Sequence, residues 1–153
     1  MRESQDGDRV KIVVALERDE DDYPPVEYEN LWSTPVGKGL FRVDNIPFFA
    51  HSIALGDLVA ATPEGGALRF KEVVQASGHS TLRLIVYDEA EVPKILEHFR
   101  QKGCLSERSH IPGLIALDVP PAVSLAGLQR ELELGQAQER WDYEEACIGQ
   151  PIS

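Results

Sequence analysis

The spacing of the apolar residues changes once along this chain, near Tyr87, and that change limits the fold more than any other feature. Before it, Val10, Ile12, Val14 and Leu16 keep the two-residue period of a strand. After it, Val92, Ile95, Leu96 and Phe99 fall at i, i+3, i+4 and i+7, the stripe of a helix with one face on a core. A β-rich first half is therefore followed by a mixed second half.

In the first half, residues 10–16 read as a strand. The run Glu17-Arg18-Asp19-Glu20-Asp21-Asp22-Tyr23-Pro24-Pro25 reads as a solvated loop, because a charge run ending in Pro-Pro cannot lie inside a sheet. Residues 26–36, with Tyr28, Leu31 and Trp32, form a second strand. Gly37-Lys38-Gly39 turns the chain into a short strand over 40–43, since glycine supplies the positive φ of a reversal. Residues 46–55 are apolar but irregular, broken by Pro47. A strand over 58–61, a hairpin loop over 62–66 and a return strand over 68–75 complete the half. The expectation over 9–78 is a small, strongly curved antiparallel sheet or barrel.

The second half, 79–150, begins with an apolar strand over 81–87. Asp88 is placed to cap the following helix, with Glu91 as its capping-box partner. Pro93 fits only near the start of that helix and Gly103 suits its end. Strands over 104–108 and 114–119 follow. A second helix carries Leu125, Leu128 and Leu132, with Gly135 ending or weakening it. Trp141, Tyr143, Glu145 and Cys147 alternate in a last strand. The order β-α-β-β-α-β is the split, ferredoxin-like one, and its first and third strands, the most apolar, are expected at the centre. The fold class is thus α+β, with one small β unit and one ferredoxin-like unit, or both in one domain. In that order Cys104 and Cys147 lie on strands at opposite edges, too far apart to pair.

The formal net charge of −11 disfavours nucleic acid and anionic membrane surfaces as partners, and points to a basic protein. The apolar fraction of 42% is ordinary for a soluble chain, and no run approaches the ~20 residues of a membrane span. The first eight residues have no signal-peptide core, so the expected compartment is the cytoplasm.

No spacing announces a cofactor, metal or nucleophile. His51, His79, His98 and His110 are scattered, with none at i, i+4 from another. Beside Cys147, Glu144 and Glu145 disfavour a thiolate. His79, in Ser77-Gly78-His79-Ser80-Thr81, is the best histidine for a functional role; the plain alternative is a turn whose short side chains bond the backbone. Two acidic groups suggest contact surfaces. Asp19, Glu20, Asp21 and Asp22 end in Tyr23, and Glu139, Asp142, Glu144 and Glu145 interleave with Trp141 and Tyr143. Aromatic side chains there would anchor an interface while carboxylates steer a basic partner; the alternative is that Trp141 and Tyr143 pack under the second helix.

Several short blocks occur together: Asn45-Ile46-Pro47-Phe48, Gly56-Asp57-Leu58-Val59, Phe70, Val73-Val74, and Ser77-Gly78-His79-Ser80-Thr81-Leu82-Arg83. With Trp32 in a Glu-x-Leu-Trp context, they resemble a bacterial domain family of unknown function, number 4265. The resemblance spans roughly 31–119 and implies no catalytic residues. Its small bacterial members look like accessory genes of toxin and peptide clusters. It thereby implies a non-enzymatic immunity or antitoxin protein, without cofactor, that masks the basic active-site surface of a toxin. The alternative is a small-molecule-binding or enzymatic domain with a pocket near Asp57, His79 and Ser80.

Overall fold

An up-and-down run of five strands can close into a barrel only through one parallel seam, because an odd count leaves its first and last strands pointing the same way. The computed structural model, which describes residues 9–150, contains this arrangement in the first of two units divided between Ser77 and Gly78. Strands β1 (Val10–Ala15), β2 (Tyr28–Gly37), β3 (Leu40–Val43), β4 (Leu58–Glu64) and β5 (Ala67–Gln75) form a closed barrel in chain order. Neighbours pair antiparallel, and β1 meets β5 in parallel through Ile12↔Leu68 and Val13↔Arg69. The antiparallel expectation is corrected at that seam alone.

The alternation read from the sequence points Ile12 and Val14 inward, where they pack with Leu31, Phe41, Val43, Val59 and Ala61. Register shifts between Pro35 and Gly37, and at two points along β4, add the local twist that a narrow barrel needs. The hairpin loop is shorter than expected. β4 runs to Glu64, which pairs with Ala67, and the turn is Gly65-Gly66 alone, both at positive φ.

The irregular segment after β3 has no ladder to satisfy its backbone, so side chains do it. The Glu29 carboxylate accepts the backbone N–H groups of Phe48, Phe49 and Ala50 at 2.6, 3.0 and 2.8 Å. Asn45 accepts the N–H of Trp32, whose carbonyl accepts that of Asp44. The Glu-x-Leu-Trp and Asn-Ile-Pro-Phe blocks are thus bonded to one another. So fixed, the segment buries Ile46, Phe49, Ala50, Ile53 and Ala54.

The second unit contains β6 (Ser80–Val86), α1 (Val92–Gln101), β7 (Leu105–Arg108), β8 (Leu114–Val119), α2 (Leu125–Ala137) and β9 (Trp141–Cys147). Its four strands form an antiparallel sheet in the order β7-β8-β6-β9. The central pair, β6 and β8, is the more apolar one, and all six residues of β8 are buried. The stripes Val92, Ile95, Leu96, Phe99 and Leu125, Leu128, Leu132 pack with both central strands into one core.

Two helix-end readings change, those at Asp88 and Gly135. Asp88 caps a short 3-10 turn, Glu89–Glu91, through the N–H of Ala90, and Glu91 bonds Arg140 instead of closing a capping box. Ser124 makes no side-chain cap on α2; the Gln150 side chain supplies it, accepting the Leu125 N–H at 3.3 Å and donating to Val123 O at 3.0 Å. Gly135 does not end α2, which runs on to Ala137. A Cβ there would stand 2.1 Å from Trp141 Cζ2, so glycine is the recess that admits the indole.

Neither cysteine forms a disulfide. Burial, and next the Asp118 charge, push the Cys104 thiol up to about 11. Titration of unreduced, denatured protein should find two thiols. In the native protein at pH 8, Cys104 should react far more slowly than it does after denaturation, and equal rates would place it outside the core.

Candidate functional site

Four crowded carboxylates repel one another, so a loop holding them needs internal bonds to keep one shape. The Asp19 Oδ1 atom accepts the N–H groups of Asp21 at 2.8 Å and Tyr23 at 3.0 Å. The Asp19 N–H donates to Tyr23 O, and the Asp22 N–H donates to Asp19 O. Arg18 crosses the loop, donating from Nε to Pro24 O and from Nη2 to Asp22 O, each at 3.0 Å. Asp19 therefore builds the loop, in the manner of an Asx turn. Glu20, Asp21 and Asp22 are left exposed to solvent. The half-exposed Tyr23 ring meets Phe49 edge-on, with centroids 6.3 Å apart.

The second acidic group is built differently, and Trp141 is the correction. Its side chain is buried in the core, only 2% of the residue is exposed, and its indole N–H donates to Leu132 O at 2.9 Å. It cannot be a surface anchor. The carboxylates around it are bonded within the unit. Asp142 accepts from Tyr87 Oη at 2.6 Å, Glu144 from Arg83 Nε at 2.9 Å, and Glu145 from Gln129 Nε2 at 2.7 Å and from the Tyr143 hydroxyl. Burial, then the Glu145 contact, raise the Tyr143 phenol above its usual range. Glu139 sits at positive φ in the turn before β9. This segment forms an edge strand of the sheet and offers fewer carboxylates for contact than its sequence suggests.

Of the three residues read as a ligand pocket, two serve the backbone. Asp57 accepts the N–H groups of Ala54 and Ser77 at 2.9 and 2.8 Å. Ser80 accepts the N–H of Gly149 at 2.9 Å. His79 differs: its Nδ1 lies 2.9 and 3.0 Å from the two oxygens of Asp118, a residue with no exposed surface. Sequence reading missed Asp118. The signal was a single carboxylate inside the otherwise apolar strand Leu114–Val119.

Helices α1 and α2 also bound a cleft of about 350 Å³ over Phe99 and Trp141. At its side, Glu131 bonds His98 and lies 2.9 Å from Lys102 Nζ. Burial pushes the Glu131 carboxyl up, but Lys102 and His98 outweigh it and hold the group below its usual value. A depressed folded-state value contributes stability above the unfolded value and loses it as pH falls through the folded one. Urea melts of Glu131→Gln should therefore show a larger loss at pH 7 than at pH 3; an equal loss at both would contradict the shift.

Among the described residues, no helix is long and apolar enough to cross a membrane. No curated protein matches this chain. A solved structure titled "Novel crystal structure of a hypothetical protein from Neisseria gonorrhoeae" is similar, with a TM-score of 0.80 and 26% identity. The likeness covers 94% of this chain and 97% of that one. The model of the family described as "Domain of unknown function (DUF4265)" matches residues 29–143, a stretch that begins at the Glu29 clamp and ends beside the buried Trp141. On that match, the chain belongs to this family of unknown function.

Proposed function

We propose that this chain is a non-enzymatic protein-binding module for a basic partner, and that the partner is a bacterial toxin domain it neutralises as an immunity or antitoxin protein. One observation carries the reading: Glu20, Asp21 and Asp22 are exposed on a loop already fixed by Asp19 and Arg18. Three carboxylates on a backbone held in place cost less ordering entropy on binding than the same groups on a floppy loop. They would steer a cationic surface at long range and then cover it. Tyr23 stands beside them as an aromatic contact. Glu139, Asp142, Glu144 and Glu145 add to the field rather than to the contact. Nucleic acid and membrane are not partners in this reading, and the compartment is the cytoplasm. The second unit is read as the split, ferredoxin-like arrangement, with its sheet and helices serving as scaffold.

The test compares tagged wild-type chain with Glu20→Gln/Asp21→Asn/Asp22→Asn on extract of the source organism. The reading expects wild type to retain a basic protein that the variant does not. Retention of the same proteins by both would overturn it.

A second reading, a small-molecule-binding or enzymatic role, draws on the His79–Asp118 pair. The buried Asp118 carboxylate faces Nδ1 and fixes the orientation of the ring. It expects some metabolite in a panel to raise the melting temperature of wild type but not of His79→Gln. No shift with any compound would leave the protein-binding reading alone.

A further inference from the structure

One outer face of the barrel carries the opposite charge to the chain as a whole. Strand parity turns Tyr28, Asn30 and Trp32 outward, since Leu31 and Ser33 are buried. Lys11 pairs directly with Trp32, and Val13 pairs with both Asn30 and Arg69, so β1, β2 and β5 share this face. Trp32 is 41% exposed and Tyr28 50%. Two cations sit on Trp32, with Arg9 Cζ 5.2 Å and Lys11 Nζ 5.1 Å from the ring centroid. A third, Arg69, has its Cζ 5.5 Å from the Tyr28 ring. Carboxylates stand at the border: Asp44 lies 3.9 Å from Arg9 Nε, and Glu64 is taken by Lys71. Glu29, though on β2, bonds the amides of Phe48 to Ala50.

We propose that this face docks an acidic polypeptide segment. The two rings hold three cations at fixed points, which lowers the ordering cost of meeting carboxylates. The barrel is closed, so β1, β2 and β5 offer no free sheet edge to an added strand, and recognition runs through side chains. Single-stranded nucleic acid is the competing occupant, because it too takes cations and aromatic rings. It needs an open ring face for base stacking, and here Arg9 and Lys11 lie over Trp32 while Arg69 lies over Tyr28. The net charge of −11 also opposes a long polyanion, whereas beyond about 10 Å it is screened from a short acidic segment at 0.1 M salt. The inference is independent of the acidic loop, which takes a partner of the other sign.

The probe is a short poly-L-glutamate, with oligo-dT as competitor, titrated at about 0.1 M salt. Trp32 reports the contact through its fluorescence, since Trp141 is buried. Poly-L-glutamate should change the Trp32 emission and bind more tightly than oligo-dT. Arg9→Glu with Lys11→Glu should weaken binding about tenfold, because both lost contacts become repulsions. Lys94→Glu with Arg130→Glu, two exposed helix cations, gives the same net charge and should change it little. Arg69→Gln provides a milder variant that keeps the Arg9 and Lys11 contacts, and should weaken binding by a smaller factor. The proposal is overturned by no binding, by tighter binding of oligo-dT, or by equal losses in the two double variants.

Discussion

Trp141→Ala is expected to cost about 4 kcal/mol of folding stability, the usual range for truncating a large core aromatic. The side chain fills the recess made by Gly135, its N–H bonds Leu132 O at 2.9 Å, and the Arg140 guanidinium covers the ring at 4.7 Å. Truncation leaves a cavity beneath α2 and removes the indole's bond to Leu132 O. Trp141→Phe should lose less, since it keeps part of the ring volume and forfeits the hydrogen bond. Gly135→Ala should damage the same contact from the other side, its Cβ standing 2.1 Å from the ring. Urea melts measure all three. A loss under ~1 kcal/mol for Trp141→Ala would put the ring at the surface, where the sequence alone had allowed it.

Glu29→Ala is expected to cost about 3 kcal/mol. One carboxylate accepts three backbone N–H groups that no ladder serves. Each charge-assisted bond is worth roughly 1.5–3 kcal/mol, but the sum is discounted because water reaches this half-buried site. Glu29→Gln keeps an acceptor and loses the charge, so its loss should be about half as large. Amide exchange separates this effect from a general loss of packing: Phe48, Phe49 and Ala50 should exchange faster, while β6 and β8 should not. An unchanged melt for Glu29→Ala would mean that the segment is held by its buried apolar side chains alone.

The residues that failed to declare themselves share a physical reason. Strand period places side chains on one of two faces, and so Ile12, Val14 and the central β6 and β8 were legible. It does not say whether a face is covered. Trp141 alternates with Asp142 and Glu144 whether its face meets helices or solvent, and only the recess at Gly135 decides it. Two carboxylates have distant partners: Glu29 bonds residues nineteen to twenty-one positions away, and Asp118 meets a histidine thirty-nine away. No local pattern carries such pairs. The acidic segment declares itself as a loop by its Pro-Pro end, but its charge run conceals that Asp19 is a structural acceptor while its neighbours face solvent. The parallel seam follows from the strand count, and Gly65-Gly66 could have given the two-residue hairpin.

The central claim, that fixed loop carboxylates steer a basic partner, is tested most directly by association kinetics. Once a captured partner is purified, its association rate with wild type and with Glu20→Gln/Asp21→Asn/Asp22→Asn is measured across ionic strength. The account predicts a wild-type rate that falls steeply as salt rises, while dissociation changes little, because exposed charges act on encounter. At low salt the variant should associate about tenfold more slowly and lose most of the salt dependence. Equal association rates for the two chains, flat across ionic strength, would contradict it.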